Sequence, residues 1–402
     1  MRNRRDRSSG NSVRRRPERR PAGVKAPSAV QDRSGAQALK LTADTVIVHT
    51  HPGLEGIAIR EALTRVAGAR EIARRSIADR NGMALLAVER PQALAALRCA
   101  EDLFALAAYA RPLAADEKGL EQARKIARNA PYVETALARR VAVTPGSRSG
   151  QRLGFRVVVR TTGQHEYRRI DLQKALERGI AERGDRRWRP ETDGDVEFWA
   201  TLLDDELFLT LRLTDDRMRQ RDYKTAHLPG SLRPSVAAAM GVLSQPTDDD
   251  VVLDPLCGAA TVLIERANLG RYRLLLGGDS DPQALEAARE NVGPRYKPIE
   301  LRQWDATALP LADRAVTRII TNLPWGRKSG SHESNRHLYP RLFSEFRRVL
   351  DPQGLMVLMT SETRLMRELM QEYEIVPTSI LVVTILGATA WIYVCRFGGK
   401  SS

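Results

Sequence analysis

The chain has 402 residues, a net charge of +15 and a pI of about 10.1. This length suits two or three domains, and the charge indicates a polyanionic partner, most simply nucleic acid. No apolar run approaches the ~20 residues of a membrane span, and the N-terminus lacks the apolar region of a secretory signal. Cys99, Cys257 and Cys395 stand far apart, which excludes a disulfide scaffold. We therefore expect a cytoplasmic protein without membrane segments.

The positive charge is concentrated at the N-terminus. Residues 1–35 hold ten Arg and one Lys against three acidic residues, so this segment carries +8 and the remaining chain +7. It lacks aromatic residues and is rich in Arg, Ser, Gly and Pro, which predicts a disordered basic tail over residues 1–40. Two roles are open for this tail, a solubilising extension and a nonspecific RNA-tethering arm.

The region after the tail mixes strand and helix patterns. β-Branched apolar runs predict strands, and apolar residues at three- to four-residue spacing predict helices. The predicted strands are 42–50, 83–90, 154–162, 196–204 and 206–214, and the predicted helices are 53–66, 91–110 and 170–183. The mixture indicates a small α+β unit from about residue 42 to residue 222.

From residue 223 strands and helices alternate regularly. The predicted strands are 251–256, 273–279, 299–305, 315–322 and 354–362, and two further apolar strands follow at 379–386 and 391–397. Alternation predicts a parallel, doubly wound α/β sheet, and the last two strands predict an antiparallel hairpin appended to it. In such a sheet, ligands bind beyond the carboxyl ends of the strands near the switch point.

The first strand of this region runs into the turn DPLCGAAT, residues 254–261. Gly258, beside Cys257 and other small residues, allows a ligand close to the backbone, and Thr261 begins a helix whose amide dipoles favour an anionic or polar group. Only one glycine is present, so neither GxGxxG nor a P-loop is formed. A tight strand-to-helix turn without a ligand is the alternative.

Acidic residues follow the next two strands. Asp279 ends LLLGGD, where a carboxylate can accept hydrogen bonds from both hydroxyls of a ribose, and Asp305 ends RQWD, where it can receive an adenine amino group. Asp281 precedes Pro282 and is predicted to cap the next helix. A solvated loop aspartate is the alternative for Asp305. Together these strand ends favour a nucleoside cofactor without a pyrophosphate.

The fourth strand ends in RIITNLPWGRK, residues 318–328. The carboxamide oxygen of Asn322 and the carbonyl of Leu323, held in a turn by Pro324, can bind both hydrogens of an exocyclic amine. That arrangement would aim the nitrogen lone pair at an electrophilic methyl group. A plain strand-to-loop turn is the alternative.

The residues that follow suit a nucleic acid. Trp325 offers a ring face for stacking a flipped base. Arg327 and Lys328 can hold the flanking phosphates.

These motifs resemble the class I S-adenosylmethionine-dependent methyltransferases that modify exocyclic amines. DPLCGAAT resembles their DPxCGxGT loop with Ala260 in place of the second glycine, and NLPWG resembles their (D/N)PP(Y/F/W) motif with Leu323 in place of the first proline. The form is similar to that of the THUMP-containing RNA guanine-N2 methyltransferases, and the resemblance covers about residues 234–399. It implies a Rossmann-like class I fold and S-adenosylmethionine, with Asp254 and the loop that follows it at the methionine end.

The upstream region resembles the rest of that family. The resemblance implies a ferredoxin-like segment at 41–115, a THUMP-like RNA-binding domain at 116–222 and the methyltransferase domain at 223–402. In that family the THUMP module docks the 3′ end of tRNA. A methyltransferase with a different small domain is the alternative here.

The sequence thus predicts a tRNA methyltransferase that forms N2-methylguanosine. The alternatives are a 23S rRNA guanine methyltransferase, an enzyme acting on an adenine amine in DNA, and a noncatalytic RNA-binding protein or chaperone with a degenerate methyltransferase fold. None of the six histidines has ligand-like spacing, so no metal is expected. The oligomeric state is open, with a monomer expected.

Overall fold

The computed structural model describes residues 39–77, 80–326 and 331–398, which form two β-sheets with flanking helices. The predicted tail, apart from its last two residues, and the Arg327–Lys328 pair lie outside these ranges. The strands are β1 Thr45–Thr50, β2 Arg70–Ile77, β3 Asn81–Ala87, β4 Asp102–Ala110, β5 Arg152–Thr162, β6 Arg187–Pro190, β7 Val196–Leu203, β8 Glu206–Arg212, β9 Val251–Asp254, β10 Leu274–Asp279, β11 Ile299–Gln303, β12 Val316–Asn322, β13 Leu350–Thr360, β14 Ile375–Ile385 and β15 Ala388–Phe397. The helices are α1 Glu55–Arg65, α2 Glu117–Arg128, α3 Val133–Val143, α4 Arg169–Ala181, α5 Arg217–Gln220, α6 Pro234–Leu243, α7 Thr261–Ala267, α8 Pro282–Val292, α9 His332–Val349 and α10 Thr363–Glu372.

The first sheet has the strand order β2-β3-β1-β4-β8-β7-β5-β6 across the described residues. Strands β1 to β4 pair only antiparallel, in the order 4-1-3-2 of a ferredoxin-like split β-α-β arrangement. Strand β4 then pairs with β8, so the predicted ferredoxin-like and THUMP-like segments share one sheet. The boundary between them near residue 115 stays a prediction.

The predicted helix at 91–110 is wrong. This segment forms a 3-10 helix, Pro91–Ala96, and then strand β4, which lies between β1 and β8. The Glu61 carboxylate accepts hydrogen bonds from the backbone amides of Arg98 and Cys99, and these contacts hold the chain in the turn before the strand. Most of β4 is buried, so its apolar run has no polar alternation, and periodicity alone does not separate such a strand from a buried helix.

Several short elements were not predicted from the sequence. Strand β2 is rich in Arg and Glu and forms an edge of the sheet, where charged side chains reach solvent and obscure the strand pattern. Strand β6 is a four-residue strand at the other edge, paired in parallel with β5. Helices α2 and α3 lie between β2 and β6 in the chain. Their buried residues belong to the same apolar core as those of β5.

The second sheet has the order β11-β10-β9-β12-β13-β15-β14. Strands β9 to β13 pair in parallel, whereas β15 is antiparallel to both β13 and β14, which confirms the doubly wound sheet with a terminal hairpin. Helices α6 to α8 contribute to one apolar cluster and α9 and α10 to another, on opposite faces. The strand order reverses between β9 and β12, so this point is the expected ligand crevice.

Candidate active site

The turn after β9 is held against the tip of the neighbouring strand. The Cys257 amide donates to the Gly278 carbonyl at 2.9 Å, and the Gly258 amide donates to Asp279 Oδ2 at 3.0 Å. Gly258 has φ +50°, and a Cβ built there would meet nothing within 4 Å. The structure therefore brings Cys257, Gly258 and Asp279 together, with open space next to the Gly258 backbone.

Asp254 ends β9 and is almost completely buried. Burial raises the pKa of its carboxyl to about 7, and the nearby Asp279 carboxylate adds to this shift. The Leu256 amide, which donates to Asp254 Oδ1 at 3.3 Å, opposes it. A carboxyl with a pKa near 7 ionises more readily when a cation lies beside it. The position of Asp254 therefore suits an ammonium group.

The turn ends at Ala260, whose backbone lies in the left-handed region. Ala260 is the N-cap of α7 with φ +60°, a left-handed conformation that an alanine adopts at a cost of roughly 1–2 kcal/mol. It is fully buried, and its amide donates to the Cys257 carbonyl at 2.8 Å. The hydroxyl of Thr261, the first residue of α7, is buried with no hydrogen-bond partner among the described residues. A polar ligand group would satisfy that hydroxyl.

The acidic residues at the next strand ends differ in setting. Asp279 is partly buried, and its other oxygen accepts from the Asp281 amide at 3.1 Å, which leaves lone pairs on both oxygens. Asp281 caps α8 by accepting from the Gln283 amide at 2.9 Å, as predicted. Asp305 lies two residues beyond the end of β11, and its side chain is 62% exposed. Hydrogen bonds from the amide and hydroxyl of Thr307 lower the pKa of Asp305.

Asn322 ends β12, on the strand next to β9. Its carboxamide Oδ1 accepts a hydrogen bond from the indole Nε1 of Trp325 at 3.0 Å. This bond determines that the oxygen, and not the amide nitrogen, faces the loop. The oxygen has two lone-pair directions, so one remains for a second donor. The edge of the Trp325 ring is thus engaged, and the half-buried side chain packs against the larger apolar cluster.

The rest of the NLPWG loop is held from behind by residues that sequence analysis missed. Leu323 is fully buried, and its amide donates to the Met359 carbonyl at 2.9 Å. The Pro324 carbonyl accepts from Tyr339 Oη at 2.6 Å and from Asn335 Nδ2 at 3.0 Å, both on α9. One signal for them was present in the sequence, because both polar residues lie on the apolar stripe of an amphipathic helix.

Two further properties concern only the described part of the chain. It contains no group of three or more His, Cys, Asp and Glu side chains able to hold a metal ion. It also contains no helix that is long and apolar enough to cross a membrane.

Comparisons with known proteins concern the family and the fold. Residues 221–388 match the family model described as UPF0020: RMKL-like, methyltransferase domain. The mouse (Mus musculus) tRNA (guanine(6)-N(2))-methyltransferase THUMP3 is 31% identical over 193 residues, which are 44% of this chain and 38% of that protein. The tRNA (guanine(6)-N2)-methyltransferase of Thermus thermophilus is 31% identical over 218 residues, covering 53% of this chain and 64% of that protein.

A solved structure matches over a longer stretch. The crystal structure of TrmN from Thermus thermophilus superposes with a TM-score of 0.71 at 26% identity, covering 88% of this chain and 99% of that chain. In sequence, by contrast, the chain spans only 38% of the length of the mouse relative. The match to the family model and the shared fold agree on one point: residues 221–388 are similar to the methyltransferase domain of the UPF0020 family.

Proposed function

We propose that this protein transfers a methyl group from S-adenosylmethionine to the exocyclic N2 amine of a guanosine in tRNA. The observation that carries the proposal is the Asn322 carboxamide at the tip of β12. Its oxygen is oriented by Trp325, on the strand next to the one that ends at Asp254. The names of the mouse and Thermus relatives support guanine N2 as the target and tRNA as the substrate.

The residues of the cofactor crevice fit S-adenosylmethionine. Asp279 has free lone pairs for the ribose hydroxyls, and Asp254 would face the methionine ammonium. The unpartnered Thr261 hydroxyl at the start of α7 and the open space at Gly258 would receive the methionine end. Asp305 would accept from the adenine amino group through lone pairs that Thr307 leaves free. When bound, the cofactor supplies an electrophilic methyl group, and the protein supplies position and charge.

The proposed role of the NLPWG loop is to orient the target amine. A guanine N2 lone pair is delocalised into the ring, so the amine is a weak nucleophile. Asn322 Oδ1 and the Leu323 carbonyl would accept its two hydrogens and turn the lone pair toward the methyl, an interaction realised mainly in the transition state. The engaged edge of Trp325 keeps Asn322 oriented, while the ring face would stack on the base.

The remaining parts of the chain would bind RNA. The sheet region from residue 41 to residue 222 would dock the tRNA, with the THUMP-like part at 116–222. Arg327 and Lys328 would contact phosphates next to the target base. The expected compartment is the cytoplasm, where the three cysteines, all buried and unpaired, would stay reduced.

The experiment is methyl transfer from labelled cofactor into unmodified tRNA, followed by digestion to nucleosides. Wild-type protein should form N2-methylguanosine, and Asn322→Ala should lower kcat on the order of 10²–10³-fold, as does loss of one oriented hydrogen-bonding group elsewhere. Asn322→Asp should retain more activity because a carboxylate oxygen still accepts from the amine.

Calorimetry on the same variants provides the control, since Asn322 lies on the base side and should leave cofactor affinity unchanged. Methylated adenosine as the product would show that the target base is wrong. Wild-type protein that does not bind S-adenosylmethionine would favour the noncatalytic RNA-binding alternative.

A further inference from the structure

A directed chain of hydrogen bonds supports the NLPWG loop from below. Burial raises the pKa of the Tyr339 hydroxyl, so the group stays protonated, and its single hydrogen goes to the Pro324 carbonyl at 2.6 Å. The Thr360 hydroxyl, 2.8 Å away, must then donate to the Tyr339 oxygen. Thr360 in turn accepts from the Glu362 amide at 3.1 Å. The chain therefore runs in one direction and ends on the loop.

A second branch reaches the same carbonyl. Asn335, 1% exposed, uses both hydrogens of its amide nitrogen, one for the Pro324 carbonyl and one for Glu362 Oε1, each at 3.0 Å. Asn335 and Tyr339 are four residues apart on α9 and therefore lie on one face of the helix. Both branches connect Pro324 to Glu362, so the loop carbonyl is held by a closed ring of hydrogen bonds.

The last residue of the loop, Gly326, is packed closely against Glu362 and the start of α9. A Cβ at Gly326, where φ is +69°, would lie 2.5 Å from Glu362 Oε1 and 3.0 Å from the His332 backbone nitrogen. The Ser361 hydroxyl also donates to the Trp325 carbonyl at 3.3 Å. Ser361 and Glu362 therefore lie against two successive residues of the loop, Trp325 and Gly326.

We propose that Tyr339 and Asn335 are positioning residues that set the placement of the amine-binding acceptors for methyl transfer. Two donors on the Pro324 carbonyl fix the peptide between Pro324 and Trp325. The proline ring fixes φ, and the Leu323 amide is held by the Met359 carbonyl, so the Leu323 carbonyl lies between two anchored points and has little freedom to turn. This inference rests on the proposed function, in which the Leu323 carbonyl and Asn322 Oδ1 bind the target amine.

Tyr339→Phe is the test, because it removes one hydroxyl and keeps the ring that fills the core. Tyr373→Phe is its matched control, since the Tyr373 hydroxyl also donates to a proline carbonyl of α9, that of Pro340, at 2.8 Å and away from the loop. We expect Tyr339→Phe to lower kcat by roughly ten- to a hundredfold, the range produced by small misplacements of reacting groups. KM for S-adenosylmethionine should stay constant, and Tyr373→Phe should remain within about twofold of wild type.

Amide hydrogen exchange gives a readout that does not depend on turnover. A peptide covering residues 320–326 should exchange faster in Tyr339→Phe than in wild type or Tyr373→Phe, because the loop has lost one of its donors. Equal exchange of this peptide in all three proteins would overturn the positioning role, whatever the activity.

A double-mutant cycle with Asn322→Ala separates positioning from general stability. If Tyr339 acts through the acceptors, its effect on kcat/KM should shrink severalfold once Asn322 is absent, whereas independent effects add. Active wild type with equal kcat for both Phe variants would contradict this inference and leave the proposed function intact. Wild type without guanosine methylation would contradict the proposed function, and hydrogen exchange would still decide whether Tyr339 holds the loop.

Discussion

At the scale of single residues, Asp254 shows how the fold changes the chemistry of one side chain. The sequence places an aspartate at the end of a strand, but only burial raises the pKa of its carboxyl to about 7. An aspartate carboxyl in water has a pKa near 3.9 and is charged at neutral pH. Asp254 instead titrates in the physiological range, so its charge responds to what lies beside it.

This property predicts that cofactor affinity depends on pH. If Asp254 faces the methionine ammonium as proposed, protonation removes an attractive charge, so affinity for S-adenosylmethionine should fall as the pH drops below 7, by at most about tenfold per pH unit. Calorimetry between pH 5.5 and 7 measures this slope. Asp254→Asn should bind more weakly at pH 7 and show a much flatter profile. An equal slope in the variant would assign the titration to another group.

At the scale of elements, a buried carboxylate connects the first sheet region to the domain that contains the second sheet. Glu265, on the same helix as Thr261 and fully buried, accepts from Arg98 Nε at 2.8 Å and from Tyr223 Oη at 2.8 Å. Arg221 Nε lies 3.3 Å from the same carboxylate. Arg98 precedes β4, whereas Arg221 and Tyr223 belong to the connecting segment. One anion therefore holds three parts of the chain together.

Removal of this anion should be strongly destabilising. Glu265→Gln leaves two largely buried guanidinium groups without a countercharge, and the loss of one partner in a buried ion pair costs about 3–5 kcal/mol. Urea unfolding measures the loss of free energy of unfolding. The matched control is Glu368→Gln on α10, whose ion pair with Arg364 is exposed and should contribute less than about 1 kcal/mol. Equal effects of the two changes would show that Glu265 does not hold the regions together.

At the scale of the whole molecule, the property that bears on RNA binding is the net positive charge. The net charge is +15, of which +8 lies within residues 1–35, outside the described ranges. The two candidate roles of this segment differ in what they predict for RNA binding. An electrostatic arm releases counterions from RNA, whereas a solubilising extension does not.

Deletion of residues 1–35 distinguishes these roles. If the segment is an RNA-tethering arm, the truncated protein should bind tRNA more weakly and with a flatter dependence on salt concentration. Turnover at saturating tRNA should stay the same, because none of the proposed site residues lies in the deleted segment. Filter binding at several salt concentrations measures the slope. An unchanged slope would favour the solubilising role.

Much of the domain that contains the second sheet was predictable because its signals are local. Strand and helix alternation determined the doubly wound sheet, and the turns DPLCGAAT and NLPWG fell at strand ends where ligands bind. The capping of α8 by Asp281 needs only neighbouring residues, and it was predicted correctly. The sequence by itself therefore determined the class of fold and the placement of the two turns at the ends of neighbouring strands.

Tertiary structure decided whatever depends on residues distant in the chain. The segment 91–110 contains a strand because β1 and β8 pair with it along both edges, which no local period reveals. Glu265 meets Arg98 across 167 positions, and Tyr339 reaches Pro324 across 15. The raised pKa of Asp254 likewise comes from burial by other elements. Local sequence sets backbone preference, whereas burial, charge pairing and the support of the loop arise only when the folded chain brings separate segments into contact.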